Sequence, residues 1–252
     1  MQNLKIRLRA SGIHLGISLC IAALAAVLVF GLWYPYPYRE ISGGRELFLL
    51  VVAVDVVMGP LITLAIFNRA KPRRELLLDF TMVGLLQIAA LTYGLWTVFM
   101  ARPVHLVFEY SRMSVVHAID LDTNLLSKAP PDLQRLPLTG PTVIALRPFK
   151  DSAEQLEATL AALNGGSLST RTDLWQTYTS ATAEILKAAK PATELNARFP
   201  QKATQIDQAI LATGRPAASL RYLPLLDRKA AWTVLIDAVS VKPLGFLPLD
   251  SF

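Results

Sequence analysis

The chain has 252 residues, 53% of them hydrophobic and 17% charged, with a formal net charge of +6 and a mean hydropathy of +0.40. The apolar residues crowd between positions 13 and 100, a distribution that excludes a wholly soluble globular protein and marks a membrane protein. Residues 1–100 carry nine Lys and Arg against five Asp and Glu, and residues 101–252 carry sixteen against fourteen, so the second part is nearly balanced and offers no phosphate-tracking surface for nucleic acid.

The first apolar run, Ile13–Trp33, has 21 residues without Asp, Glu, Lys or Arg. At 1.5 Å rise per residue it spans the ~30 Å hydrocarbon thickness of a bilayer. Lys5, Arg7 and Arg9 precede it, as they would a signal peptide. The run is longer than a signal peptide's apolar region and its small residues, Ala22–Ala26, fall in the middle, so it reads as a membrane helix. Leu47–Phe67 is of equal length and holds one charge, Asp55; Phe80–Met100 is again uncharged. The expected membrane part is thus residues 1–102, with helices at about 13–33, 47–67 and 80–100.

Lys and Arg in short flanking segments set orientation, because cytoplasmic loops retain positive charge. Lys5, Arg7 and Arg9 lie before the first run and Arg69, Lys71, Arg73 and Arg74 lie between the second and third, while Arg39 and Arg45 between the first and second are offset by Glu40 and Glu46. The N-terminus is therefore expected in the cytoplasm and the C-terminal part outside, in the periplasm of a bacterium. Trp33, Tyr34, Tyr36 and Tyr38, with Trp96 and Phe99, form the expected outer aromatic belt, and His14 is expected at the membrane surface.

Asp55 is the informative residue of this half. A carboxyl at the centre of a membrane helix costs about 2.5–3.5 kcal/mol, which the fourteen Leu, Ile, Val and Phe of the same run offset. It should face protein rather than lipid. Asp55, Gly59 and Thr63 fall at i, i+4 and i+8, a small and polar stripe suited to close helix packing, and Pro60 should kink the helix and free a carbonyl on the preceding turn. Counting residues from the cytoplasmic ends places Thr92 and Tyr93 at the depth of Asp55, and Gln87 in a lower layer with Ser18 and Cys20. Three roles for Asp55 stay open: organising the bundle, meeting a partner's membrane helix, or proton and ion transport, the last disfavoured because no relay of further acids accompanies it.

Residues 103–252 read as a soluble α+β domain with a mainly antiparallel sheet. Alternation and β-branched content predict strands at about 104–110, 112–119, 142–147, 219–224, 231–238 and 243–248. Asp151 with Glu154 forms a capping box ahead of a helix that Gly165-Gly166 ends. Thr172 is expected to cap a second helix carrying Trp175, Tyr178, Ile185 and Leu186, and a third should lie near 203–213, closed by Gly214. The segment 120–141 should be mostly irregular.

Motifs that carry chemistry are not met in this part. A hairpin turning at Ser111 would set His105 opposite His117, with Glu109 on the same face, as polar residues of an exposed surface; spacing supplies no third metal ligand. Asp120, Asp122 and Asn124 open like a calcium loop, but Leu125 and Pro131 stand where glycine and glutamate are required. Gly165-Gly166-Ser167 follows a helix and has no lysine for a phosphate. With Cys20 as the one cysteine, the expectation is no catalytic residue, no cofactor and no metal.

Several blocks together resemble the type IV pilin accessory proteins of the TfpX/TfpZ type. They are Gly12-Ile13-His14-Leu15, Trp33-Tyr34-Pro35, the run Asp55-Val56-Val57-Met58-Gly59-Pro60-Leu61-Ile62-Thr63-Leu64, Tyr93-Gly94, Arg102-Pro103, Leu220-Arg221-Tyr222-Leu223-Pro224 and Leu247-Pro248-Leu249-Asp250. The chain departs from the pattern at Tyr110-Ser111 and at Ala238–Lys242, where an acidic turn and a glycine-containing turn would be expected. The resemblance implies a non-enzymatic protein of the bacterial inner membrane that helps a major type IV pilin, and with it other pilus assembly components, to form pili and so supports twitching motility. Asp55, Gly59, Pro60, Thr63, Gln87, Thr92 and Tyr93 are the residues expected to serve packing or partner contact. The competing readings are a membrane enzyme that modifies pilin and a periplasmic ligand sensor acting through a partner.

Overall fold

The structure is a computed structural model that describes residues 2–67 and 71–252; Arg69, counted above for orientation, lies outside the described residues. The chain divides into two compact units, Met1–Arg102 and Pro103–Phe252.

The first unit holds three helices long and apolar enough to cross a membrane, Leu4–Trp33, Gly44–Ile66 and Arg73–Met100. Helices one and three begin well before the apolar runs because Lys, Arg and Glu are good helix formers and carry the helix past the apolar stretch. Helix one is α1 (Gln2–Leu28), finished by a π turn, Val29–Trp33. A short helix, α2 (Tyr38–Ile41), leads into helix two. Helix two is α3 (Gly44–Ala53), a π turn at Val54–Met58 and α4 (Gly59–Ile66). Helix three is α5 (Arg73–Met100). α3 packs on α5, whereas α4 packs chiefly on α1, so helix two changes its principal neighbour at the π turn.

Two glycines make those contacts close. A Cβ on Gly94 of α5 would stand 2.7 Å from a Val51 methyl of α3, and one on Gly44 would stand 2.4 Å from the Tyr34 ring. Tyr34 corrects the aromatic-belt expectation. It is fully buried, and its hydroxyl donates to the Val98 carbonyl at 3.1 Å, so it ties helix one to helix three instead of floating at an interface.

The second unit is built on an eight-stranded mixed, mostly antiparallel sheet. Its strands are β1 (Pro103–Glu109), β2 (Arg112–His117), β3 (Thr142–Leu146), β4 (Trp175–Thr177), β5 (Lys190–Pro191), β6 (Leu220–Leu226), β7 (Ala231–Asp237) and β8 (Pro243–Leu247). Their order is β4-β3-β1-β2-β6-β7-β8, with β5 also on β6; β1–β3 and β2–β6 are parallel. Helices α6 (Ser152–Leu163), α7 (Thr182–Ala188), α8 (Leu195–Arg198) and α9 (Ala203–Ala212) complete it. One core gathers Val107, Val116, Ile144, Leu174 and Trp175, and a second gathers Leu195, Ile206, Tyr222, Leu235 and Leu247.

The α6 cap forms by half. Asp151 accepts the Glu154 amide at 2.8 Å, but Glu154 turns away and receives Arg147 in a two-pronged pair at 2.9 and 2.7 Å. Those bonds and the Lys150 amide hold the Glu154 carboxyl down to about 2. The helix expected from Thr172 is corrected: Trp175–Thr177 is strand β4, pairing Trp175 with Leu146, and the Thr172 hydroxyl donates to the Leu125 carbonyl at 2.6 Å. Trp175 enters the core from β4 beside β3, and that packing overrides local helix propensity; the helix begins at Thr182, as α7, and carries Ile185 and Leu186.

The expectation for the histidines is also corrected. The hairpin turns on Tyr110-Ser111, with Tyr110 at φ +57°, so its centre lies between those residues rather than on Ser111. His105 pairs with Val116 and His117 with Pro103. Both imidazoles are buried rather than on an exposed face. His105 stands edge-on to Trp175 at 4.7 Å and shares a 2.8 Å hydrogen bond with the Thr142 hydroxyl.

Burial of His105 pushes its pKa down to about 4. The unfolded histidine binds a proton near 6.5, so between those values the unfolded chain holds more protons than the folded one. The stability present above pH 6.5 is lost on acidification, by about 3 kcal/mol by pH 4. Glu154 contributes in a separate window, from its unfolded value of 4.5 down to about 2. His105→Phe, which keeps a ring against Trp175, is expected to flatten the pH 6.5–4 window in hydrogen exchange of β1 and β3 in the full-length protein. An unchanged slope in that variant would assign the acid sensitivity elsewhere.

Candidate functional site

Helix two brings a line of small and polar groups into the first unit. Asp55, Gly59, Pro60 and Thr63 are all buried, at the one place where its backbone departs from the α form. In a π turn each N–H reaches back five residues, and five residues after Asp55 stands Pro60, which has no N–H. The Asp55 carbonyl is thereby left without its helical partner. Gln87 of α5 supplies one, its Nε2 donating to Asp55 O at 3.2 Å.

Gln87 is itself part of a chain of bonds. Its Oε1 lies 2.7 Å from His14 Nε2, and His14 Nδ1 lies 2.6 Å from Thr63 Oγ1. An amide oxygen only accepts, so His14 Nε2–H donates to Gln87, and in the neutral imidazole Nδ1 then accepts from the Thr63 hydroxyl. The direction is Thr63 to His14 to Gln87 to the Asp55 carbonyl, linking all three helices through side chains. Gly59 leaves the room: a Cβ there would stand 1.9 Å from Gln87 Nε2 and 3.1 Å from His14 Nε2. Gly59→Leu is expected to break this chain and to lower the yield of folded, detergent-soluble protein severalfold, which size-exclusion chromatography would register.

The N-terminal end is tied in the same way. Ser11 donates to the Pro60 carbonyl at 2.8 Å. Arg7 donates to the carbonyls of Phe67 at 2.5 Å and Ala65 at 2.7 Å, where a guanidinium satisfies the orphan groups of the α4 C-terminus.

Thr92 and Tyr93 are not brought to Asp55. Both are exposed, Tyr93 to 74%. Depth alone suggested them, but at 100° per residue Thr92 lies about 140° around the helix from Gln87. Gln87 stands beside Gly59 and His14, and its long side chain reaches the Asp55 carbonyl one turn away. Cys20 is exposed, and His14 is half-buried and bonded to Thr63 and Gln87. The missed partners had a signal: Arg7, Ser11, His14 and Ser18 recur at spacings of four, three and four, one polar face of a helix.

Where α4 leans on α1, a groove of about 450 Å³ opens between α1 and α5. Ile13, Ile17, Ile21, Val83, Ile88 and Leu91 are among its apolar lining, and His14, Ser18, Asp55 and Gln87 are its polar lining. Asp55 Oδ1 is buried there and has no hydrogen-bond partner.

The second unit has a cleft of about 470 Å³ that includes Arg112, Ser114, Asp120, Ser167, Asp227 and Arg228. Its charges are engaged with one another. Arg112 pairs with Glu109 at 3.2 Å, and Arg228 pairs with Asp120. His117 lies 3.4 Å from Asp120 and 3.6 Å from Asp227. At Asp120 burial works to raise the pKa, but the nearby His117 and the bond from Arg228 outweigh it and hold the carboxyl below its ordinary value. Among the described residues no group of three His, Cys, Asp or Glu side chains could hold a metal ion.

Comparison with known proteins places these features in a context. The family described as fimbrial assembly protein FimB matches residues 2–43. A fimbrial assembly protein of serogroup I from Dichelobacter nodosus is 34% identical over 231 residues, covering 91% of this chain and 90% of that one. The corresponding protein of serogroup E1 is 33% identical over 231 residues, with 91% and 90% coverage. That of serogroups C1 and C2 is 39% identical over 121 residues, 48% of this chain and 92% of its own length. No solved structure matches.

Proposed function

The chain belongs to the fimbrial assembly protein family, and from that premise we propose that it is a pilin accessory protein of the TfpX/TfpZ type. In this reading it is a non-enzymatic protein of the bacterial inner membrane that binds a major type IV pilin and promotes pilus assembly and twitching motility. Residues 1–102 form its membrane domain and residues 103–252 its periplasmic domain. Lys5, Arg7, Arg9, Lys71, Arg73 and Arg74 keep the N-terminus and the connection between helices two and three in the cytoplasm.

The observation that carries the reading is the pairing of three apolar helices with a soluble unit in one chain, along most of which the similarity to fimbrial assembly proteins runs. A pilin subunit waiting in the membrane has the same two-part layout, an apolar helix in lipid and a globular head outside. A protein built likewise can engage both parts at once. Asp55, Gly59, Pro60, Thr63 and Gln87 are assigned the role of holding the bundle in the form the pilin meets.

The test is co-purification. Full-length protein extracted from crosslinked cells in mild detergent is expected to carry its pilin. Pilin-free material, from cells in which the pilin is abundant, would refute the binding role. An altered pilin mass in cells containing the protein, relative to cells lacking it, would instead favour an enzyme.

A further inference from the structure

We propose that the groove between α1 and α5 is a docking site for one transmembrane helix of a partner, and that this helix presents a hydrogen-bond donor, a hydroxyl, amide or ammonium, to the carboxyl of Asp55. The inference deepens the function proposed above and rests on it for the nature of the partner, a membrane-anchored fibre subunit.

The first ground is Asp55 itself. Its residue exposure is 8%, its Oδ1 has no partner, and it lines the groove. Its backbone carbonyl is satisfied by Gln87, and His14 and Thr63 satisfy each other. The polar chain therefore gives His14, Thr63 and Gln87 partners near this point and leaves the carboxyl of Asp55 unanswered. In hydrocarbon an acid without a donor is a standing cost. Lipid chains bring no donor, so covering the groove with lipid would not relieve it. The backbone N–H groups of an incoming helix are used within that helix beyond its first turn, so the donor is a side chain or the start of the helix.

Dimensions agree with one helix. On α1 the groove runs from Ala10 to Ile21 and on α5 from Phe80 to Leu91, each about 16 Å of helix, or three turns. Its walls are apolar and carry Gly84, beside which a Cβ would meet nothing within 4 Å. A small residue facing open space in a membrane helix is what permits a second backbone to come close. The π turn that carries Asp55 to the groove is a local departure from α geometry of the kind found at functional sites.

The experiment places a photo-crosslinking amino acid at Ile17 or Ile88, in the groove, and at Leu24 or Leu50, which are 73% and 69% exposed and lie outside it. The full-length protein is irradiated in membranes of cells that make the fibre subunit. Groove positions are expected to yield the subunit adduct at least about tenfold above the outside positions, the equivalent of one lost contact in affinity. The crosslinked peptide should lie in an apolar segment within a turn of a donor side chain. With the probe at Ile17, Asp55→Leu should lower the adduct about fivefold or more, and Asp55→Asn, which retains an accepting oxygen, should leave most of it. Equal adducts inside and outside the groove, adducts only with lipid or with a second copy of this chain, or an undiminished adduct in Asp55→Leu would overturn the proposal. Should the subunit still co-purify while the groove yields no adduct, the groove inference fails and the accessory function stands. If the subunit is absent from both experiments, both fail.

Discussion

Replacing Gln87 with leucine is expected to lower the unfolding free energy of the helical unit by about 2–4 kcal/mol. Leucine keeps the volume and removes the two bonds that Gln87 makes, from His14 Nε2 and to the Asp55 carbonyl. Both partners then remain in an apolar interior. The carbonyl cannot return to its own helix, because the residue positioned to donate to it is Pro60. The His14 proton loses its acceptor, which also frees the ring that anchors Thr63. Each loss is worth about 1–2 kcal/mol in membrane proteins, and they share one residue, so they occur together. Thr92→Leu and Tyr93→Leu are the controls. Their side chains face outward, and each should stay within about 0.5 kcal/mol of the parent. Denaturation in mixed micelles, followed by amide hydrogen exchange of helices one to three, measures all three. A Gln87→Leu midpoint equal to that of Thr92→Leu would mean that the seam is decorative.

Trp175→Ala should cost the soluble unit more, about 3–5 kcal/mol. The side chain is 2% exposed and joins three structures at once. It packs in the core with Val107, Val116 and Ile144, stands edge-on to His105 and donates its indole N–H to the Ser169 carbonyl at 2.9 Å. Truncation opens a cavity, strands that carbonyl and removes the anchor of β4 on β3. Trp175→Phe separates these effects, since it refills most of the volume but not the hydrogen bond, and should recover more than half of the loss. Hydrogen exchange of β3 and β4 in the full-length protein gives the readout. Exchange slowed in Trp175→Ala, or equal in the two variants, would contradict the packing account. Both predictions bear on function through the amount of folded protein available for assembly.

What sequence patterning could deliver depended on the range of the interaction behind each feature. Three membrane helices follow from hydropathy, because burial in lipid is decided residue by residue. All six strands expected in the soluble part, and helices α6 and α9, likewise follow from period and caps, which are local; the register of the β1–β2 hairpin does not. The register slipped because one residue, Tyr110, adopts a left-handed backbone that tyrosine seldom takes. The second expected helix begins at Thr182 instead of Thr172, keeping Ile185 and Leu186 but not Trp175, because the demand for an aromatic side chain in the core outranks the propensity of the segment around Trp175.

For the candidate site, the stripe of Asp55, Gly59 and Thr63 beside Pro60 was legible from spacing alone, because helix periodicity places i, i+4 and i+8 on one face. Its partners were not. Sequence gives the depth of a residue along a membrane helix, but contact also requires azimuth, and azimuth is set by how the helices rotate against one another. A π turn shifts that rotation within helix two and strands one carbonyl, and only in the folded bundle does Gln87, rather than Thr92 or Tyr93, come to meet it. The sequence by itself determined that a carboxyl would be carried into the membrane part beside glycine and proline. Tertiary structure alone decided that His14, Thr63 and Gln87 would satisfy one another and leave that carboxyl facing a groove, because hydrogen-bond satisfaction depends on distances between helices far apart in the chain.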